Sequence, residues 1–181
     1  MRENKNLTYL VHGAVIAAIY VVLTLNFLPI SYGPIQFRIS EALCILPYFT
    51  PAAVPGLFAG CLLSNLMGGL PVMDVVCGSL ATLIGALGSR HLRQHKWCVC
   101  IPPILSNAII VPWVLRFAYG SQDLIPLMML TVGIGEILAV GVLGNALLIT
   151  LERYGSVIFG RQGAASCQVS AAYSGTETEA G

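Results

Sequence analysis

Apolar residues run along this chain in long blocks rather than in alternation, and polar residues are confined to the gaps between blocks and to a few isolated positions inside them. A helix rises about 1.5 Å per residue, so about 20 apolar residues cross the roughly 30 Å hydrocarbon layer of a bilayer. By that rule the blocks predict six helices, at Leu7 to Leu28, Ile39 to Phe49, Ala53 to Met67, Met73 to Leu92, Val99 to Tyr119 and Leu124 to Leu151. The second and third are short, because Pro51 and Pro55 stop one and start the next. The sixth is longer than a span needs, with Gly133 and Gly135 as candidate bend points. The expected fold class is an all-α membrane protein with a membrane domain over residues 1–154. After it comes a Gly-, Ala-, Ser-, Thr- and Glu-rich tail over 155–181 without apolar period, expected to be disordered.

Composition supports the membrane assignment. Hydrophobic residues make up 56% of the 181-residue chain and charged residues only 9%, against roughly 25% in soluble domains; the mean hydropathy is +0.81. The first block is longer than the apolar core of a secretory leader, lacks a small-residue cleavage pattern, and reads as a retained span. A net charge of +1 excludes a field that would attract nucleic acid, so each charge is informative by position. Arg2, Lys5, Arg90, Arg93, Lys96, Arg153 and Arg161 fall on one side of a six-span chain, Arg38 and Arg116 on the other. Cytoplasmic loops carry the Lys and Arg excess, so both termini are expected in the cytoplasm and the protein in the plasma membrane. The loops Pro29 to Arg38, Gly68 to Val72 and Gly120 to Asp123 would face outward.

Polar residues within the blocks are Glu41, Asn65, Asp74, Asn107, Arg116, Glu136 and Asn145. Intramembrane ionisable groups are costly and mark function by default. Arg38, Glu41, Asn65, Asp74 and Arg116 come out near the outer ends of their helices, with Asn107 and Glu136 below them. That describes a pocket open to one side rather than a polar-lined pore. Local alternatives stand beside this: Arg38 and Glu41 are three apart and can pair with each other, Asp74 can cap the fourth helix, and Glu136 can be a protonated or paired structural glutamate. Trp113, with Tyr32, Phe37 and Tyr119, can stack on a planar ligand or belong to the interfacial aromatic belt.

Cys44, Cys61 and Cys77 lie inside apolar blocks and are expected to pack. His91, His95, Cys98 and Cys100 lack the paired spacing of a zinc site and read as loop residues, so no metal is expected. No phosphate-binding Gly-x-x-x-x-Gly-Lys-Ser/Thr loop occurs; if ATP drives transport, another subunit binds it. Nor does the chain place a nucleophile and base at membrane depth, apart from Cys44 near Glu41, so no catalytic residue is assigned. In the first helix Gly13-x-x-x-Ala17 and Ala14-x-x-x-Ala18 form small-residue pairs where another helix can approach, either within the chain or from a partner.

The segments QFRISEAL, LPYFTPAAVPGLFAGCLLSN (46–65) and DVVCGSLATLIGA resemble the QueT family, substrate-binding S components of energy-coupling factor (ECF) importers for queuosine precursors. The likeness covers roughly Leu7 to Arg153. It implies a six-helix S-component bundle that binds a 7-deazaguanine such as preQ0 or preQ1 and works with a transmembrane coupling subunit and two ATPases. It also implies a partner-docking role for Gly13, Ala14, Ala17 and Ala18. On that chemistry Glu136 suits the ring N–H and exocyclic amine, and Asn107, Asn65, Gln36 or Arg38 the carbonyl. Glu41 or Asp74 would suit an aminomethyl cation. The competing expectations are an S component for another vitamin-like solute and a proton-coupled carrier using Glu136.

Overall fold

The computed structural model describes residues 5–27 and 37–158. Gln36, Tyr32, most of the first expected outer loop and residues 159–181 of the expected tail lie outside them.

Helix α1 spans Lys5–Asn26, α2 Ala53–Met67, α3 Val72–His91, α4 Ile101–Ala118, α5 Ile125–Glu136 and α6 Asn145–Ile158. Between α1 and α2 lies a 3-10 helix, Ile39–Tyr48; between α5 and α6 lies a π-helical stretch, Ile137–Gly144, so that Ile125 to Ile158 is one continuous helical rod. A further 3-10 turn, Lys96–Cys98, leads into α4. The third expected helix is found with its expected bounds, and the others are displaced by a residue or two at their ends, except that the sixth ends at Ile158 rather than Leu151. The last runs past Gly155, where the sequence ended the membrane domain. Among the described residues, four segments are long and apolar enough to cross a bilayer: Asn6–Asn26, Val72–His91, Lys96–Ala118 and Ile125–Arg153. Ile39–Tyr48 and Ala53–Met67 are shorter, so length and composition mark four candidate spans among the described residues.

The second segment differs most from expectation. Its ten residues form a 3-10 rather than an α-helix, with Pro47 inside it. Pro47 has no N–H to give, and both Phe49 and Thr50 close on the Leu46 carbonyl. A 3-10 helix rises about 2.0 Å per residue, so ten residues reach about 20 Å where an α-helix would reach about 15 Å. This short element therefore extends from the polar cluster described below to the opposite end of the bundle. There Arg90 donates to the Pro47 carbonyl at 3.0 Å, and Tyr48 donates to Glu152 at 3.3 Å, itself paired with Lys96 at 3.6 Å.

Close helix contacts are built on glycine. A Cβ on Gly56 would lie 2.6 Å from the Gly13 carbonyl oxygen, and one on Gly60 would lie 2.8 Å from Tyr20 Cβ and 3.1 Å from Ala17 Cα. The backbones of α1 and α2 meet there with no room for a side chain. The 3-10 helix packs on the π stretch, with Gly144 against Ile45 and Ala42, and Tyr20, Ile45, Tyr48, Leu57, Val140 and Leu148 form the centre of the core. Outside, Ile101, Leu105, Ile109, Trp113 and Phe117 recur every fourth residue of α4 and are all exposed, an apolar stripe that suits lipid rather than water.

Candidate functional site

Three groups of buried polar residues are stacked inward from one end of the bundle. The outermost joins the start of the 3-10 helix to the first turn of α3. Arg38 and Asp74 are 5% and 2% exposed, with Arg38 Nη2 3.7 Å from Asp74 Oδ1. Tyr119, just past the end of α4, donates to Asp74 Oδ2 at 2.6 Å. Asn65, near the end of α2, donates to the Asp74 carbonyl at 3.4 Å. Gly78, one turn along α3, leaves the space these groups occupy: a Cβ there would stand 3.1 Å from Asp74 Oδ1 and 3.2 Å from Asn65 Nδ2. Asp74 makes no capping bond; Pro71 holds the cap position of α3. Nor do Arg38 and Glu41 form the local pair that their spacing allowed, since Arg38 crosses to another helix.

The second group is centred on Glu41, which is fully buried. Tyr20 of α1 donates to its Oε1 at 2.5 Å, and Thr82 of α3 lies 3.4 Å from the same atom. The Cys44 thiol donates to Oε2 at 2.9 Å. Both carboxyl oxygens are thus engaged by the chain itself. Thr82 also lies 3.4 Å from Cys61 Sγ of α2, so four elements meet around one carboxyl group. Beside it Thr24 donates to Ser40 at 2.8 Å and to the Tyr20 carbonyl at 2.9 Å, fastening α1 to the 3-10 helix.

The third group is the pair Glu136 and Asn107, 4% and 3% exposed. Glu136 ends α5 where the backbone changes to π geometry, a change that π-helical insertions frequently mark at functional sites. The Asn107 amide is its hydrogen-bonding neighbour, and Glu41 and Arg38 are the charged groups whose field reaches it. Glu136 Oε2 is buried with no hydrogen-bond partner in the chain. In a low-dielectric interior that is costly unless a proton, an ion or a ligand answers it.

Of the residues singled out in the sequence, the structure gathers Arg38, Asp74, Asn65, Glu41, Asn107 and Glu136. Gln36 lies outside the described residues. Trp113 is not brought in: it is 45% exposed and stacks on Phe117 at 6.1 Å with planes 12° apart. Arg116 is exposed and donates to the Ser121 carbonyl at 2.7 Å. Asn145 lies beyond the π stretch and donates to the Gly141 carbonyl at 2.6 Å. The small-residue pairs divide, because Gly13 and Ala17 pack against α2 inside the chain while Ala14 and Ala18 are exposed. His91, His95, Cys98 and Cys100 do not gather: among the described residues no three His, Cys, Asp or Glu side chains are placed to hold a metal.

Sequence reasoning missed Tyr20 and Thr82. The available signal was a tyrosine in the middle of an apolar helix, whose hydroxyl must find a partner when water is excluded.

Four apolar helices of spanning length, with three acids and one arginine buried between them, define a multi-pass membrane protein that keeps charge inside for a purpose. The chain belongs to the QueT transporter family, whose model matches residues 10–153, from within α1 into α6; this is a family of transporters and not of enzymes. It is similar to the queuosine precursor transporter QueT of Lactococcus lactis subsp. cremoris (strain MG1363), with 41% identity over 83 residues. That match covers 44% of this chain and about half, 48%, of the relative. No solved structure matches it.

Proposed function

We propose that this chain is the substrate-binding subunit of an ATP-driven importer for queuosine precursors, capturing a 7-deazaguanine outside the cell. The observation that carries this reading is Glu136, a buried carboxyl with one oxygen unmatched, set beneath a buried polar cluster that lies at one end of the bundle. A deazaguanine has what that oxygen lacks. It offers a ring N–H and an exocyclic amine on one edge, and the aminomethylated precursor adds an ammonium group. Its carbonyl calls for a donor, a role open to Asn107, Asn65 or Arg38. A purine lacking the matching groups would leave buried polar atoms unpaired, and that penalty gives discrimination. The relative's name, queuosine precursor transporter, agrees with this cargo.

In this reading the two short segments complete six crossings in an S-component bundle, and the basic loops put both termini in the cytoplasm. Nucleotide is used by two partner ATPases through a transmembrane coupling subunit. The exposed Ala14 and Ala18 give that subunit a place to dock, on the helix least enclosed by the rest of the chain: 22% of the α1 window is buried, against 39–50% in the other three long segments. Gly13 and Ala17 serve the docking face indirectly, by fixing α1 on α2.

The test is titration of the purified, detergent-solubilised chain with preQ0, preQ1, queuine and guanine. Tight binding of a deazaguanine with weak guanine binding is expected; no binding by any of the four would refute the cargo. A second reading, a proton-coupled carrier, is favoured by the same unmatched carboxyl of Glu136. Uptake that persists after ATP depletion and stops when the proton gradient is dissipated would select it.

A further inference from the structure

We propose that the turn joining α3 to α4 binds the headgroup of an anionic phospholipid, with Arg90 and Arg93 on the phosphate and the acyl chains along the exposed apolar face headed by Trp97. This surface lies at the end of the bundle away from the Arg38–Asp74 cluster and does not depend on the cargo. The turn is held tightly. The Leu92 N–H closes on the Gly88 carbonyl at 2.9 Å, that of His95 on Leu92 at 3.0 Å and that of Cys98 on His95 at 2.9 Å. Ser89, in the last turn of α3, donates to the Val99 carbonyl at 2.7 Å. A Cβ on Gly88 would lie 2.4 Å from Pro102 Cβ, so α3 and α4 meet directly behind the turn. The cations that the turn carries are therefore fixed relative to one another. Arg90 is anchored through one of its N–H donors to the Pro47 carbonyl at 3.0 Å, and Arg93 is exposed, with its field reaching Arg90.

Arg90, Arg93, Lys96 and Arg153 lie at this end, and the one acid there among the described residues, Glu152, is taken by Lys96 at 3.6 Å. Two guanidinium groups are thus held in each other's field, and among the described residues no acid pairs with either. Loops on one side of a membrane collect cations in general, but a loose loop lets them spread, and this turn keeps them together. A phosphodiester relieves the repulsion, because guanidinium N–H groups match its oxygens in pairs. What adjoins the cations distinguishes a lipid from a free anion. Trp97 is 58% exposed, with the Lys96 ammonium 5.2 Å from its ring centroid. Ile101 and Leu105 continue the exposed face along α4, beside the exposed Ile84 and Leu87 of α3. Indole rings settle at headgroup level, and a cationic turn at the head of an apolar face matches an anionic lipid from headgroup to chain.

Trp113→Phe leaves Trp97 as the sole tryptophan of the chain. The full-length variant is reconstituted in vesicles of phosphatidylcholine with a minority of phosphatidylglycerol, bromine being carried either by the phosphatidylglycerol or by an equal share of the phosphatidylcholine. The overall composition is the same in both, so the ratio of quenching reads the local enrichment of the anionic lipid. Phosphatidylglycerol is expected to be enriched about fivefold or more at Trp97, the preference that one cation at a membrane surface supplies. Arg93 is exposed, so its replacement leaves the fold intact. Arg93→Gln is expected to bring the ratio to within about twofold, and Arg93→Lys to keep part of the preference. Lys5→Gln removes a charge from the start of α1, at the same end of the bundle but outside the turn, and is expected to leave the preference standing. Equal quenching by the two lipids overturns the proposal and leaves the turn as a face for a protein partner. Equal losses in Arg93→Gln and Lys5→Gln show a diffuse field in place of a site and overturn it too, as does a preference that survives unchanged in Arg93→Gln.

Discussion

The three buried acids are chemically alike and differ in their surroundings, which separates their roles. Glu41 is a structural junction: its two oxygens are held by α1, the 3-10 helix and α3. Replacing Tyr20 by Phe removes the 2.5 Å bond while keeping the ring, and leaves a buried carboxyl oxygen short of a donor. A loss of about 1–3 kcal/mol is expected, read as a lowered melting temperature of the purified protein without ligand. Trp113 is the opposite case. It is exposed and packed on Phe117, so Trp113→Phe is expected to leave precursor affinity within about twofold, since the ring adds nothing to a buried contact. In a Trp97→Phe background, Trp113 fluorescence is expected to be quenched by brominated lipid; quenching by the precursor instead would place the ring in the site. The sequence made the acids and amides visible because each interrupts an apolar block. It could not show what each acid faces, because Arg38 and Tyr119 reach Asp74 over 36 and 45 positions.

At the scale of elements, helix boundaries were legible wherever proline or glycine punctuated an apolar block, as at Ala53–Met67 between Pro51 and Gly68. The type of helix was not. In Ile39–Tyr48 nearly every residue after Arg38 is buried, so no periodic contrast between faces distinguishes three residues per turn from 3.6. The π stretch Ile137–Gly144 is apolar throughout and is hidden for the same reason. Glycine spacing, by contrast, had a definite structural consequence at the α1–α2 contact. Because a Cβ on Gly60 would come within 3.1 Å of Ala17 Cα, Gly60→Ala is expected to cost about 1–3 kcal/mol by overpacking, and Gly60→Leu to prevent accumulation of folded protein. A thermal melt of Gly60→Ala equal to wild type would show that the helices separate freely.

For the whole molecule, the polar groups are arranged asymmetrically along the bundle. Arg38, Asp74 and Tyr119 stand at one end, while Arg90 and Glu152 meet the far end of the same 3-10 helix, Glu152 being paired with Lys96. That helix therefore links the Arg38–Asp74 cluster to the loop between α3 and α4, which is rich in basic residues. With Cys77, Cys98, Cys100 and Cys167 replaced by Ser, leaving only the buried Cys44 and Cys61, His95→Cys is expected to react with an impermeant thiol reagent from the cytoplasmic side only, and Ser121→Cys from the outside only. Labelling of both from one side would contradict the topology. Fold class and the bilayer location followed from composition and block length alone. The span count did not, because two of the six apolar segments are too short to be assigned as crossings by length.

The central claim is that Glu136 binds the ligand whereas Glu41 holds the fold, and one paired titration tests it. Binding of the aminomethylated precursor is measured for wild type, Glu136→Gln and Glu41→Gln, with the melting temperature of each ligand-free protein recorded alongside. Loss of a charged, buried hydrogen bond corresponds to about 10- to 100-fold in affinity. The expected result is a loss of that size in Glu136→Gln with no fall in melting temperature, and a clear fall in melting temperature for Glu41→Gln. Wild-type affinity in a folded Glu136→Gln protein would contradict the account.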